Sequence, residues 1–136
     1  MYDTGTGVPQ NHKEAVKWYA KAAERGYAAA QGGLGTMYDE GRGVPQDDKE
    51  AVKWYTKAAE QGDTDAQHNL AIMYGTGDGV PQNDVYAHMW ANIASADGNE
   101  NAHKIRSIIA ASMAPDQLAE AQTLATECIK KDYKNC

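Results

Sequence analysis

The sequence contains no phenylalanine and only two cysteines, and it has no long apolar run. No stretch approaches the roughly 18 uninterrupted apolar residues that a membrane-spanning helix requires, so no membrane span is predicted. Positive charge is also scarce, because 13 Lys and Arg stand against 19 Asp and Glu and the formal net charge is -6. Nucleic acid is therefore not an expected partner, since binding to a phosphate backbone depends on a cationic surface. No segment resembling a secretion signal opens the chain.

Glycine and aromatic residues, by contrast, are frequent and recur together. The tetrapeptide Gly-Val-Pro-Gln occupies residues 7–10, 43–46 and 79–82, and the spacings 43 - 7 and 79 - 43 are both 36. The segment Ala-Val-Lys-Trp-Tyr at 15–19 returns at 51–55, with a degenerate third copy, Ala-His-Met-Trp-Ala, at 87–91. The chain is therefore predicted to be an array of similar units.

Each unit is predicted to contain two helices, named helix A and helix B in chain order. In unit one, apolar residues three and four positions apart indicate helix A over about 12–25, ended by Gly26. Asn11 followed by Glu14, and Asp47 followed by Glu50, are typical of helix starts.

Helix B follows at once, with the same helical spacing in Ala30, Leu34 and Met37. Asp63 is the expected N-cap of the second helix B. Because a single hairpin of this kind cannot bury its apolar face alone, neighbouring hairpins are expected to stack into a solenoid.

The repeated pattern resembles the Sel-one-like repeat family, which is related to tetratricopeptide repeats. The matching motifs are A-V-K-W-Y-x-K-A-A-E-x-G, A-Q-x-x-L-x-x-M-Y and G-x-G-V-P-Q, and they cover roughly residues 1–110. The segment from Met113 to Gln122 is similar to the closing helix of bacterial members. The resemblance implies an all-α, right-handed superhelical solenoid of antiparallel helix hairpins with a C-terminal capping helix, which binds a protein or peptide on its concave face and uses no cofactor.

Five segments are expected from this division. They are the end of a truncated preceding repeat (1–10), repeat one (11–46), repeat two (47–82), a degenerate repeat three (83–113) and a C-terminal capping helix with its tail (114–136).

Lysines recur on the side of helix A opposite its apolar stripe. They are Lys13, Lys17 and Lys21 in unit one and Lys49, Lys53 and Lys57 in unit two. One interpretation is a basic groove for an acidic peptide or protein surface. The other is an ordinary solvated helix face, partly balanced by Glu24 and Glu60.

Unit three carries apolar residues at the corresponding positions, namely Val85, Met89 and Ile93. The last helix offers an apolar stripe that includes Leu118, Ala121, Leu124, Ala125, Cys128 and Ile129. We expect this helix to cover unit three as a cap. An open hydrophobic groove for a partner is the alternative.

Trp18, Trp54 and Trp90 lie at the edge of the core stripe of helix A. Packing between units is one expected role. The alternative is a partly exposed aromatic ladder, in which Trp18 and Trp54 contribute to partner binding.

Reactive constellations are not evident. The four histidines, His12, His68, His88 and His103, show no metal-ligand spacing, and the glycine-rich loops lack the Lys-Ser/Thr of a phosphate loop. The carboxylates near helix starts are expected to act as caps. They are Asp39, Glu40, Asp47 and Asp48. We therefore predict no metal site and no enzyme, and keep as alternatives a secreted bacterial hydrolase of the cell-wall or β-lactam type and a structural spacer.

The two cysteines, Cys128 and Cys136, both lie near the end of the chain. A chain that turns back could bring their α-carbons within the ~4.4 to 6.8 Å that a disulfide demands. A disulfide there would indicate a periplasmic or secreted protein. The alternative is a buried Cys128 and a free Cys136.

Overall fold

A computed structural model describes residues 11–136, which contain seven α-helices and no strand. The helices are α1 (His12–Glu24), α2 (Ala28–Glu40), α3 (Asp48–Ala59), α4 (Thr64–Thr76), α5 (Asp84–Ala96), α6 (Glu100–Ala110) and α7 (Pro115–Lys130). The predicted all-α class is confirmed. The segment 1–10, expected to end a preceding repeat, lies outside the described residues.

The helix starts are set by side chains that accept hydrogen bonds from the first turn. Asn11 caps α1 through the amide of Glu14 at 3.0 Å, and Asp47 caps α3 through the amides of Lys49 and Glu50. Asp63 accepts from the amide of Ala66, as predicted for the second helix B. Each bond satisfies an amide that has no partner inside its helix and contributes about 1 kcal/mol.

The helices pack mainly with their neighbours along the chain. Helices α1, α3 and α5 are the helices A, and α2, α4 and α6 are the helices B. Each helix A packs against the helix B of its own hairpin, and α2 and α4 also pack against the helix A that follows. This local pattern of contacts is that of a helical repeat solenoid.

Within residues 11–136, the core consists of two clusters. The larger one joins residues of α3, α4 and α5 to Ala125 and Cys128 of α7. The smaller one centres on Ala23, Ala30 and Leu34 of the first hairpin. Helix α7 therefore completes the core at the C-terminal end of the array, while the first hairpin has a smaller core of its own.

Candidate interaction surfaces

The six lysines predicted on the helices A are all exposed, three on α1 and three on α3. We call Lys13, Lys17, Lys21, Lys49, Lys53 and Lys57 together the lysine face. Glu14 lies 4.0 Å from Lys17 Nζ and Glu50 lies 3.6 Å from Lys53 Nζ, as exposed pairs three residues apart. Such pairs contribute only a few tenths of a kcal/mol, so they leave the lysines available to an acidic partner.

Two tryptophans lie beside these ammonium groups. Lys21 Nζ is 5.5 Å from the ring centroid of Trp18, while Lys53 Nζ and Lys57 Nζ are 4.9 and 5.3 Å from that of Trp54. These distances fall within the range of cation–π attraction. The lysine face is therefore a row of cations with aromatic surface between them, rather than a row of isolated charges.

The three tryptophans are not equally exposed. Trp90 is 4% exposed and belongs to the larger core cluster, Trp54 is partly buried against the smaller one, and Trp18 is 52% exposed. The predicted packing role thus describes Trp90 fully and Trp54 in part. Trp18 differs because it lies on the first described helix, where no preceding hairpin is described.

Helix α7 occupies the part of unit three that corresponds to the lysine face. Met89 and Ile93 are each 1% exposed and share a core cluster with Ala125 and Cys128, and Val85 is partly buried. An open apolar groove does not fit this burial. The face that carries lysines in units one and two is therefore covered by the chain's own last helix in unit three.

The C-terminal tail fastens α7 to the end of α3. Cys128 and Cys136 form a disulfide with their α-carbons 5.5 Å apart. Lys134 Nζ donates to the Glu60 carbonyl at 2.8 Å, and the Asn135 amide donates to the Glu60 carboxylate at 3.3 Å. The two contacts with Glu60 join residues more than 70 positions apart, so the tail links the cap to unit two.

Removing this disulfide should loosen the cap. Closing a loop this short contributes about 2 to 3 kcal/mol by restricting the unfolded chain. We expect Cys136→Ser to lower the free energy of unfolding by that amount in urea denaturation. Wild-type protein unfolded under reducing conditions should match the variant, whereas an unchanged midpoint for both would contradict a stabilising disulfide.

The chain matches a known repeat family in units of the same 36-residue length. The family model for the Sel1 repeat matches residues 1–27, 28–63 and 64–99. The chain belongs to the Sel1 repeat family. The second and third matches each begin at a helix B, whereas the boundaries expected from the sequence begin at a helix A, so those boundaries stay a prediction. None of the curated proteins compared with this chain matches it significantly.

Several solved structures share the fold, and two of them illustrate it. A protective antigen of uropathogenic Escherichia coli with an SLR fold is 36% identical over 90% of this chain, with a TM-score of 0.86. The chain spans 27% of that antigen's length. A Sel1 repeat protein from Oxalobacter formigenes is 43% identical, with 78% of this chain and 80% of that protein covered and a TM-score of 0.70. Sel1 repeat proteins are generally scaffolds for protein interaction.

Buried glutamines hold the first two Sel1 hairpins together. Gln31 donates to the Ala23 carbonyl at 3.2 Å, and Gln67 donates to the Ala59 carbonyl at 3.1 Å. Gln61 then links units one and two by donating to the Gly26 carbonyl and to the Gln31 side chain, both at 2.8 Å. The repetition of Ala-Gln at residues 30–31 and 66–67 could have indicated this role, because a buried glutamine requires a hydrogen-bond partner.

The acidic residues near the helix ends have structural partners. Tyr55 donates to the Asp39 carboxylate at 3.3 Å and contacts the Thr36 hydroxyl at 3.2 Å. Burial raises the pKa of Asp39, and the hydrogen bond from Tyr55 opposes this shift. Burial also raises the pKa of Tyr55 well above its usual range. These groups link α2 to α3. The expectation that Asp39 acts as a cap is therefore wrong, because Asp39 lies inside α2 and binds Tyr55, whereas Asp47 caps α3 as expected.

A serine and a histidine lie in contact, as a hydrolase would require, but their surroundings give the hydrolase hypothesis little support. Ser95 Oγ lies 3.4 Å from His103 Nδ1, but the Arg106 guanidinium lies 2.9 Å from the same nitrogen. A cationic donor at Nδ1 competes with the serine proton that a general base must accept. Within residues 11–136, no group of three or more His, Cys, Asp and Glu side chains is placed to hold a metal ion.

His88 is buried at a position where unit two has Val52, 36 residues earlier. Its side chain is 4% exposed, and Nδ1 has no hydrogen-bond partner. Burial lowers the pKa of His88 below its usual 6.5, and the nearby charge of Arg106 lowers it further. The folded protein therefore holds His88 neutral at a pH where the unfolded chain already binds a proton.

This burial predicts an acid-sensitive fold. Because the unfolded state takes up the proton first, stability should fall as pH drops below about 6.5. His88→Val should remove that loss and, at pH 8, should stabilise by about 1 kcal/mol by eliminating an unpartnered polar group. Denaturation of both proteins at pH 8 and pH 5 measures the two effects separately. Parallel losses between the two pH values would contradict the assignment to His88.

Two apolar depressions open on the described surface, and the one on the first hairpin is bordered by Trp18, whose ring also lies beside Lys21 of the lysine face. One, of about 280 Å³, lies between α4 and α6 and is lined by Ile72, Ile105, Ile108 and Ile109 among others. The other, of about 460 Å³, lies on the first hairpin and is lined by Trp18, Tyr19, Ala22, Tyr27, Ala29 and Ala30. Ile108 and Tyr27 are 71% and 62% exposed, so both depressions offer apolar surface to solvent.

Proposed function

We propose that this Sel1 repeat protein is an interaction scaffold that binds an acidic peptide or protein surface through the lysine face of α1 and α3. The supporting observation is that six exposed lysines stand in register on two neighbouring units while the matching face of unit three is covered by α7. Trp54 and Trp18 extend this surface with aromatic area. In the proposed scaffold, the lysine face is the concave wall.

Electrostatics favour this assignment. The chain as a whole carries a net charge of -6, so a cluster of six lysines is a local reversal of sign. An acidic ligand is repelled by most of the surface and attracted by this face, which selects the binding orientation and raises the association rate. Binding through exposed lysines should also weaken with salt, since the Debye length falls from about 10 Å at 0.1 M to about 3 Å at 1 M.

A peptide-display selection tests the proposal with random peptides in place of the natural partner. Peptides selected on the wild-type protein should be enriched in Asp and Glu. Their affinity should fall about tenfold or more for Lys17→Glu combined with Lys53→Glu, because attraction is replaced by repulsion. The matched control is Lys104→Glu combined with Lys130→Glu, which makes the same charge change at exposed lysines on α6 and α7.

Two results would remove the lysine face from the function. One is a set of selected peptides with no acidic bias. The other is equal weakening by both double variants, because that would reflect net charge rather than a site. Thermal unfolding of both variants checks that each remains folded.

We further propose a periplasmic or extracellular location. A disulfide that closes the C-terminal tail fits an oxidising compartment. Within the described part of the chain, no helix combines the length and apolarity needed to cross a bilayer.

A further inference from the structure

The tail, residues 131–136, covers the turn between α3 and α4. The ring of Tyr133 lies so close to Gly62 that a Cβ added at Gly62 would be 3.2 Å from it. Among the described residues, a Cβ added at the equivalent Gly26 or Gly98 would meet nothing within 4 Å. Of the three turns that join a helix A to its helix B, this one alone is covered in this way.

The tail also replaces a link that unit three does not make. At the junction between units one and two, Gln61 donates to the Gly26 carbonyl and to the Gln31 side chain. The residue 36 positions after Gln61 is Asp97, whose carboxylate cannot donate a hydrogen bond. The side-chain oxygen of Gln67, which is equivalent to Gln31, is buried and has no hydrogen-bond partner among the described residues. The tail's hydrogen bonds to the end of α3 therefore provide a substitute link at this junction.

Helix α7 contributes mainly small side chains to the core. Its buried residues are Ala121, Ala125 and Cys128. Leu124 is only partly buried, and Ile129 is 43% exposed. Because the stabilisation gained by burial grows with apolar area, these side chains hold α7 less firmly than fully buried leucines would. The attachment of α7 to unit three therefore depends on the tail as well as on packing.

The backbone of the tail needs to be held in place. Asp132, Tyr133 and Asn135 have φ of 53°, 65° and 54°. This left-handed region is unfavourable for residues with a Cβ, and a bulky side chain such as that of Tyr133 tolerates it least. The disulfide between Cys128 and Cys136 closes a loop around these residues. Opening that loop allows the backbone to relax and the tail to leave the turn.

We propose that the disulfide is a redox latch, which a dithiol reductant opens. Opening releases the tail from the turn between α3 and α4 and lets α7 detach from unit three, while the hairpins formed by α1 to α6 stay folded. Met89 and Ile93, which α7 covers in the closed state, then face solvent. The opened state adds apolar surface beside the lysine face. That consequence rests on the proposed function, whereas the latch itself does not.

The opening step transfers two electrons from the dithiol to the protein disulfide. One thiolate of the reductant attacks Sγ of Cys136, which is partly exposed, whereas Cys128 is 1% exposed. The bond between Cys128 and Cys136 breaks, the Cys128 sulfur takes up a proton, and a mixed disulfide forms between Cys136 and the reductant. The second thiolate of the reductant then attacks the reductant sulfur of this mixed disulfide. Cys136 leaves as a thiolate, and the reductant is left as a disulfide.

Hydrogen–deuterium exchange of the full chain, followed by mass spectrometry with and without dithiothreitol, tests the proposal. We expect amide exchange in residues 115–136 to become about tenfold faster or more in dithiothreitol, because exchange reports local opening. Exchange in α2 and α4 should not change. Cys136→Ser without reductant should exchange like the reduced wild-type protein, and dithiothreitol should not change it further. This variant separates loss of the disulfide from other effects of the reductant.

Four results would overturn the latch. The disulfide could resist dithiothreitol until denaturant is added, or residues 115–136 could exchange as slowly in the reduced protein as in the oxidised one. Faster exchange confined to residues 131–136 would show that α7 stays attached, and equal acceleration in α2, α4 and α7 would indicate general destabilisation. Lys17→Glu combined with Lys53→Glu should leave the redox response unchanged, so failure of the latch and failure of the lysine face are distinguishable.

Discussion

Replacing Gly79 by alanine is expected to lower the free energy of unfolding by about 3 kcal/mol or more. Gly79 has φ of +76°, and an added Cβ would lie 2.4 Å from the carbonyl oxygen of Asp48 and 3.0 Å from a methyl carbon of Val52. Left-handed backbone costs a residue with a Cβ about 1 to 2 kcal/mol, and overpacking adds about 1 to 3 kcal/mol. Because the contact is with backbone, the start of α3 must move to relieve it.

Gly98 provides the matched control. Its φ is +96°, and an added Cβ would meet nothing within 4 Å, so Gly98→Ala should cost only the conformational term of about 1 to 2 kcal/mol. Urea denaturation of the two variants measures the difference. Equal losses would mean that the close approach of the Gly-Val-Pro loop to the preceding helix A does not constrain the repeat.

The second large effect is expected from a charge placed under the cap. Ala125 is 2% exposed and lies in the core cluster with Met89 and Ile93. Ala125→Glu should destabilise by about 3 kcal/mol or more, since an unpaired buried carboxylate loses its hydration. If α7 detaches to relieve this cost, Met89 and Ile93 become exposed and binding of a hydrophobic dye should rise.

Ala119→Glu makes the same substitution on the exposed side of α7 and should change stability by no more than about 0.5 kcal/mol. The comparison therefore isolates burial from the loss of alanine's helix propensity. Equal stability of the two variants, with no increase in dye binding for Ala125→Glu, would show that α7 does not cover unit three.

The helices could be predicted from sequence because the determinants are local and repeated. Asn11, Asp47 and Asp63 cap the helices they were expected to cap, and the 36-residue period located the same hairpin three times. The cap over Met89 and Ile93 was also predictable, because apolar residues at positions that hold lysine in two other units require cover.

Features that depend on a residue's place in the array were harder to predict. Trp18, Trp54 and Trp90 occupy one repeat position, yet their exposure differs because each depends on the preceding hairpin. The contact of the tail with Glu60 was not foreseen, since no sequence pattern connects residues that far apart. The burial of His88 was not predicted from its own residue type. It could have been predicted from Val52, which lies at the same repeat position and is buried.

The candidate binding surface was only partly accessible to sequence reasoning. Helical spacing predicted that the six lysines share an exposed side, and they are exposed. The cation–π contacts of Lys53 and Lys57 with Trp54 depend on side-chain conformations that a pattern does not specify. The identity of the partner depends on the surface of a second molecule, which this sequence does not contain, so the acidic ligand remains a proposal.

Mapping an acidic peptide from the display selection onto ¹⁵N-labelled protein by NMR tests the central claim most directly. The proposed scaffold predicts chemical-shift changes along α1 and α3, centred on Lys17 and Lys53, with little change in α5 and on the exposed side of α7. Shift changes concentrated in the isoleucine-lined depression between α4 and α6, or on α7, would contradict it.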